Sequence, residues 1–261
     1  MGEHRSENQI IRPWLLALGR EELPRELIIR GNIYRHVKTF KHDFFAATSL
    51  YQGATGKIVL KVGRMAPLFG LPMAWIGRLL SQHEIRMFEL TQSIAGVPEL
   101  LGSWGTIGLV HAYVEGRPLQ KSDTPDDEFF PKLALMLEAI HARGAAYVDL
   151  EKRENILLGE DGQPHLIDFQ ISWHLPANRG GEIWPFRVVR DVLQASDRYH
   201  LYKHWRRLRP DQLAASANGD SFEVPIWIRW HRMMFRPLTL LRRQILVWLG
   251  VRDSIRVRSP G

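Results

Sequence analysis

The chain has 261 residues, a formal net charge of +7 and no cysteine. Its length allows one large or two small domains, and an apolar fraction of 45% is ordinary for a globular protein. The lack of cysteine excludes a disulfide framework and a thiolate metal site. Because the segment Met1 to Asn8 is polar and no apolar stretch follows it directly, we expect no secretory signal and a cytoplasmic protein.

Short strands and turns are predicted for the first part of the chain. A helix is expected from Ile11 to Leu18. The segment Tyr34 to Tyr51 contains no glycine, and its pattern predicts two strands around a polar turn. A turn with two glycines then leads into a β-branched, apolar run at residues 58–62, which predicts a strand that carries Lys61.

A helix is predicted to follow that strand. Residues 81–90 have helical apolar spacing, include Glu84 and Glu89, and end before the Gly-Val-Pro sequence at residues 96–98. The connector at residues 65–80 is unusually apolar. It fits a membrane-dipping loop, a lid over a binding site, or a buried loop.

The middle of the chain predicts a strand, a link and a long helix. Residues 109–116 have the composition of a strand that ends in a short link. A helix is expected from Asp126 to Arg143, with one apolar face and with Gly144 as its C-terminal stop. This helix would deliver the chain to the segment that begins at Tyr147.

Residues 147–169 are the most informative segment. Two short apolar runs on either side of the turn at 160–164 predict a β-hairpin. Asp149 and Asn155 precede the first run, and Asp168 follows the second. Two carboxylates and an amide held on such a hairpin suit phosphoryl transfer, which depends on positioning charge more than on covalent chemistry.

This segment resembles the catalytic region of protein kinases. Those enzymes carry H-R-D, then four residues, then N, and they carry D-F-G after the next strand. In this sequence Asp149 matches the Asp of H-R-D, Asn155 matches the Asn, and Asp168 matches the Asp of D-F-G.

The sequence also departs from the kinase pattern. Tyr147 and Val148 replace the His and Arg, Gln170 replaces the glycine of D-F-G, and no A-P-E sequence follows. Five residues rather than four separate Asp149 from Asn155, so a one-residue bulge is expected there. These departures fit small kinases better than regulated eukaryotic protein kinases, and the sequence is similar to the bacterial lipopolysaccharide-kinase-like and RIO-like families.

The resemblance implies an α+β fold with the bilobal arrangement of protein kinases. A β-rich N-lobe is expected at residues 1–109, and a mainly helical C-lobe core at residues 110–210. A basic amphipathic segment is expected at residues 211–261.

The resemblance further implies ATP and Mg²⁺ as cofactors and a role for each candidate residue. Asp149 would accept a proton, while Asn155 and Asp168 would hold magnesium. Lys61 would bind the ATP phosphates and would be oriented by a glutamate on the predicted helix. That partner is Glu84, with Glu89 in reserve, and Lys152 or Arg153 would lie beside the transferred phosphate. Lys41 and His42 would cover the nucleotide in place of a glycine-rich loop, and Tyr113 on the link would lie beside adenine.

The C-terminal quarter holds most of the excess positive charge. From Arg198 to Gly261 there are thirteen Lys or Arg and four Asp or Glu. Residues 227–250 are apolar enough to raise the question of a membrane span, but their five arginines argue against one. The pattern fits an interfacial amphipathic segment at an anionic surface, and it equally fits helices packed on the C-lobe.

The expected function is an ATP-dependent kinase that phosphorylates a hydroxyl, either on a glycolipid or lipopolysaccharide sugar or on a protein Ser or Thr. Such a protein would be cytoplasmic, with peripheral contact at the inner face of the membrane if the basic segment binds lipid. The alternative is an inactive kinase-like module that binds nucleotide, membrane or a partner protein, and the missing glycines favour it. Nucleic acid is an unlikely partner, although the basic quarter would suit RNA.

Overall fold

The computed structural model describes residues 15–68 and 70–215, which form a mixed α+β structure, as predicted. The larger elements are β1 (Glu26–Ile29), β2 (Asn32–His42), β3 (Ala46–Gly53), β4 (Gly56–Gly63), α1 (Ala74–Thr91), β5 (Leu100–Trp104) and β6 (Gly108–Ala112). They are followed by β7 (Gly116–Pro118), α2 (Phe129–Ala142), β8 (Ala145–Ala146), β9 (Ile156–Gly159), β10 (Pro164–Leu166), β11 (Trp173–His174), α3 (Trp184–Leu208) and α4 (Pro210–Ala215).

The main sheet is antiparallel, with the strand order β1-β2-β3-β4-β6-β5. The central strand β4 is the predicted apolar run, and it is buried from Ile58 to Leu60 because other elements cover both of its faces. The glycine turn before it is also confirmed. Gly53 pairs with Gly56, whose φ of 125° is a conformation that favours glycine.

Helix α1 packs against β4, and its buried side follows the helical repeat through residues 77, 81, 84, 88 and 91. Gly77 lets the helix approach closely, because a Cβ there would lie 2.1 Å from the Arg64 carbonyl oxygen. The helix begins at Ala74, so the predicted connector at 65–80 was too long. Leu71 before the helix, and Trp75 and Leu79 in its first turns, are exposed, which excludes a buried loop for these side chains.

The second half of the chain is built around α2 and a hairpin. Strands β9 and β10 form the predicted hairpin, with Leu157 opposite His165. The predicted apolar face of α2 is buried, and it shares one hydrophobic cluster with Phe169 and with Phe88 of α1. Helix α3 packs against α2 and β8. The segment around the candidate residues is therefore supported from two sides.

Two predictions fall wholly or partly outside the described residues. The basic segment at 211–261 is described only as far as residue 215, where it contributes α4. The predicted helix from Ile11 to Leu18 is described from Leu15, and residues 15–20 form turns there instead of an α-helix. Within residues 15–68 and 70–215, no helix has the length and apolarity needed to cross a membrane.

Candidate active site

Lys61 lies between two carboxylates that come from distant parts of the chain. Its Nζ donates to Glu84 Oε1 at 2.8 Å and to Asp168 Oδ1 at 2.7 Å. The Glu84 side chain is 2% exposed and that of Lys61 12%, whereas that of Asp168 is 32% exposed. The reserve candidate Glu89 is exposed on the other side of α1. The Lys61 ammonium thus links strand β4 to helix α1 and to the segment that follows β10.

The charges of this group are set by burial and by one another. Burial alone would lower the pKa of Lys61, but the carboxylates of Glu84 and Asp168 raise it above its ordinary value. Burial would raise the pKa of Asp168, yet the Lys61 ammonium lowers it overall. Burial raises the pKa of Glu84, and Lys61 offsets part of that effect. At neutral pH Lys61 is a cation and Asp168 an anion, and Asp168 is the more accessible of its two partners.

Asp149 lies at the centre of a second group. Its Oδ2 accepts hydrogen bonds from Lys152 Nζ at 2.6 Å and from Asn155 Nδ2 at 2.9 Å. Both of these side-chain contacts fall on the same oxygen. The predicted extra residue is absorbed by a 3₁₀ turn at Arg153–Asn155. This turn returns the Asn155 side chain to Asp149.

The two groups are adjacent. The Ile167 N–H donates to the Asn155 carbonyl oxygen at 3.1 Å, so Asn155 lies next to the residue that precedes Asp168. The Lys152 ammonium acts electrostatically on Asp168 as well as donating to Asp149. Lys61, Glu84, Asp149, Lys152, Asn155 and Asp168 therefore form one polar site.

Asp168 and the residue that precedes Asp149 have an unusual backbone. Asp168 has φ 63° and Val148 has φ 72°, both in the left-handed region. For a β-branched residue such as Val148 that conformation is strained and persists only when its surroundings hold it. Such strain is common at functional sites, where it fixes the direction of a neighbouring side chain.

The residues that hold this backbone lie on α3, and the sequence reasoning missed them. Asp197 is fully buried and accepts hydrogen bonds from the N–H groups of Tyr147 at 2.7 Å and Val148 at 2.8 Å. Gln194 Nε2 donates to the Ala145 carbonyl oxygen at 2.8 Å, and His204 Nε2 donates to that of Leu150 at 2.8 Å. A sequence signal for these residues does exist. Gln194, Asp197 and His204 share one helix face with Leu201 and Leu208, and this spacing indicates a buried face.

Lys41 and Tyr113 lie apart from these direct contacts. Lys41 makes an ion pair with Asp43 at 2.8 Å, although Asp168 also acts on it electrostatically. Tyr113 follows β6, its ring is stacked 6.1 Å from that of Phe40, and the Lys57 ammonium lies 5.6 Å from its ring centre. The structure thus gathers six of the eight predicted side chains into two adjacent contact groups of three and leaves Lys41 and Tyr113 at the periphery.

The oxygen donors of the site suit magnesium. Asp168 supplies an accessible carboxylate, and Asn155 supplies an amide oxygen whose orientation is fixed by the bond from Nδ2 to Asp149. Magnesium binds through one or two such groups together with water and substrate phosphates. No group of three or more His, Asp or Glu residues within the described part of the chain could hold a metal by itself.

One open cavity of about 760 Å³ lies away from this site. Its lining is polar and includes Asp126, Lys132 and Arg209, and it contains none of the eight candidate residues. Arg209 there already binds Asp127, Asp211 and the Pro125 carbonyl oxygen. The carboxylates and cations of the candidate residues converge instead in the region of Lys61 and Asp149.

A buried histidine behind the site gives a testable pH dependence. Burial lowers the pKa of His111 to about 4, and its ring is stacked on Phe88. The unfolded chain takes up a proton near pH 6.5 and the folded chain does not, so stability falls as pH drops from 6.5 towards 4. Between pH 7 and pH 5 this residue is expected to remove about 2 kcal/mol from the free energy of unfolding.

Urea unfolding of wild type and His111→Gln at both pH values measures this effect. The pH-dependent loss of stability should be smaller in the variant by about 2 kcal/mol, since the other histidines contribute equally to both proteins. Equal losses in the two proteins would show that His111 does not stay neutral in the folded state.

Comparison with known proteins does not assign this site. No protein-family model matches the sequence, and no curated protein matches it either. The chemistry of the site therefore has to be inferred from its own side chains.

Proposed function

We propose that the chain is an ATP- and magnesium-dependent phosphotransferase with a bilobal, kinase-like arrangement. In that arrangement residues 1–109 form the N-lobe and residues 110–210 the C-lobe core, with the site between them. The observation that carries the proposal is the ion pair of Lys61 with Glu84 and Asp168, beside the Asp149 group. A buried lysine held by a helix glutamate is the arrangement that binds ATP phosphates in kinases.

Each side chain then has a physical task. Lys61, held by Glu84, would donate to the phosphates and neutralise their charge. Asp168 and Asn155 would hold magnesium, which, when bound, neutralises phosphate charge and orients the transferred group. Asp149 would accept the proton of the attacking hydroxyl through Oδ1, while Lys152 and Asn155 hold Oδ2. Lys152 would also lie beside the charge that develops on the transferred phosphate.

The acceptor is proposed to be a hydroxyl group, either on a membrane glycolipid sugar or on a protein Ser or Thr. The resemblance to lipopolysaccharide-kinase-like proteins and the basic composition of residues 211–261 favour the glycolipid. With that acceptor the protein would work at the inner face of a membrane as a peripheral protein.

A non-catalytic nucleotide-binding module is the second candidate. The turn between β2 and β3 contains no glycine, and the side chain of Asp43 already binds its N–H groups. Such a turn is less suited to holding a phosphate for transfer than a glycine-rich loop is. This candidate predicts that ATP binds and that no phosphate leaves it.

Nucleotide binding is the first test of the proposal. Wild type is expected to bind ATP more tightly with Mg²⁺ than with EDTA in a calorimetric titration. Lys61→Met should raise the Kd for Mg-ATP about 10- to 100-fold, since a charge-assisted hydrogen bond contributes about 1.5–3 kcal/mol.

The control is Lys121→Met, which removes an exposed lysine outside the site. It should leave the Kd unchanged, and thermal melting should show that both variants are folded at the titration temperature. A wild type that binds no ATP, or a Kd unaffected by Lys61→Met, would contradict the proposal.

A further inference from the structure

The turn between β2 and β3 is closed by one of its own side chains. Asp43 Oδ1 accepts hydrogen bonds from the N–H groups of Phe45 at 2.8 Å and Ala46 at 3.0 Å. The backbone also closes the turn, because the Asp43 N–H donates to the Ala46 carbonyl oxygen at 3.0 Å. A carboxylate of the chain thus occupies the N–H groups that an anion would otherwise bind in a turn of this kind.

The turn is anchored to other parts of the chain. The Ala17 N–H donates to the Asp43 carbonyl oxygen at 2.7 Å, and the Leu18 N–H donates to His42 Nε2 at 3.2 Å. The buried Arg64 donates to the Phe44 carbonyl oxygen at 2.9 Å and lies 4.0 Å from the Phe44 ring centre. Because two other segments, residues 17–18 and Arg64, fix it, the turn has little freedom to remodel around a ligand.

Lys41 connects this turn with the active site. Its Nζ lies 2.8 Å from Asp43 Oδ2, so the two oxygens of one carboxylate bind the turn and the lysine. Burial would lower the pKa of Lys41, but Asp43 raises it overall, and Asp168 and Glu154 contribute. In the sheet Lys41 is paired with Thr48 of β3, and Thr48 is paired with Lys61 of β4, so the two lysines lie in one row across the strands. Lys41 therefore lies on the same part of the sheet as the Lys61–Asp168 group.

We propose that Asp43 is an affinity-setting residue for the nucleotide phosphates, which compete with it for Lys41. In this arrangement the phosphates are bound on this side by the lysine side chain and not by turn amides. The Asp43 carboxylate weakens their binding through like charge and through its ion pair with Lys41. This inference rests on the proposed function and adds a determinant of phosphate affinity that a glycine-rich loop lacks.

Asp43→Asn tests the inference, because Asn keeps an Oδ1 that can accept both N–H groups while it loses the charge. The Kd of the full chain for Mg-ATP is expected to fall about three- to tenfold at 50 mM NaCl, as expected for removing one repulsive charge near a triphosphate. The gain should shrink at 500 mM NaCl, where exposed charges are screened. Binding of adenosine, which has no phosphate, should not change.

Lys41→Met supplies the matched second variant. It should raise the Kd for Mg-ATP and leave that for adenosine unchanged, and in the Lys41→Met background Asp43→Asn should give a smaller gain. If Asp43→Asn does not fold, the Kd of Lys41→Met for Mg-ATP still tests the inference. An unchanged Kd would overturn it, because the phosphates would then not compete with Asp43 for Lys41.

The possible results separate this inference from the proposed function. An Asp43→Asn protein with an unchanged or higher Kd for Mg-ATP, or with an equal gain for adenosine, would overturn the role of Asp43 and leave the kinase proposal standing. A wild type that binds no Mg-ATP would overturn both.

Discussion

Asp197→Asn is expected to lower the free energy of unfolding by about 2–4 kcal/mol. Asp197 Oδ2 accepts hydrogen bonds from the Tyr147 N–H and from His141 Nε2, and Oδ1 accepts one from the Val148 N–H. Asn has one accepting oxygen, so its NH₂ group would face at least one of these donors. A buried donor left without an acceptor costs about 1–3 kcal/mol.

The same substitution would also release the strained backbone at Val148, since Asp197 holds the N–H group of that residue. Because a typical domain is stable by only about 5–15 kcal/mol, the loss should be plain in urea unfolding. Asp191→Asn is the matched control on the same helix, where Asp191 is largely exposed. It should change stability by less than about 0.5 kcal/mol. Equal effects of the two substitutions would show that Asp197 does not support the loop.

Asp149→Asn is expected to lower the rate of phosphate transfer by about 10²- to 10⁴-fold, the usual contribution of a general base. Asn is nearly the same size, so it can keep contacts with Lys152 and Asn155, but it cannot accept the proton. The Kd for Mg-ATP should change little, because the proposed magnesium ligands and Lys61 are intact.

The control for this substitution is Glu151→Gln, two residues along the same loop. Glu151 is exposed and lies 3.5 Å from Lys203, so its loss should leave the transfer rate within about twofold. Nucleotide Kd and transfer rate should be measured on the same preparations. A parallel loss of both in Asp149→Asn would indicate a structural role for Asp149 instead of a chemical one.

The sequence predicted the local elements whose pattern is strong. The strand with Lys61 and the hairpin between Asn155 and Asp168 are short apolar runs bounded by turn residues, and both are observed. The contact of Lys61 with a glutamate was implied by the resemblance to kinases, helical spacing placed Glu84 on a helix, and the geometry favours Glu84 over the exposed Glu89. Local periodicity carried enough information for the elements, and the resemblance supplied the pairing.

Other features depend on long-range contacts that local patterns do not encode. The polar face of α3 is buried because it satisfies the backbone of residues 145–150, about fifty positions earlier. Sequence patterns treat a face with Gln, Asp and His as solvent-exposed, so Asp197 was missed. The start of α1 at Ala74 was also missed, because the predicted helix covered only residues 81–90. Glycine has a low helix propensity, and the close approach of Gly77 to Arg64 is a long-range contact that the local pattern does not show.

The turn at Asp43 illustrates the same limit. Its lack of glycine was visible in the sequence, and Lys41 was selected as the compensating charge. The ion pair between Lys41 and Asp43, and the anchoring of the turn by residues 17, 18 and 64, follow from the assembled structure.

Transfer of labelled γ-phosphate from Mg-ATP is the most direct test of the proposed kinase activity. A host lysate is separated into protein and glycolipid fractions after incubation with wild type, Glu151→Gln or Asp149→Asn. We expect wild type and Glu151→Gln to label one fraction to a similar extent, while Asp149→Asn labels it at least a hundredfold more slowly. Labelling that is the same with Asp149→Asn as with wild type, or absent with all three proteins, would contradict the claim that this chain is a kinase.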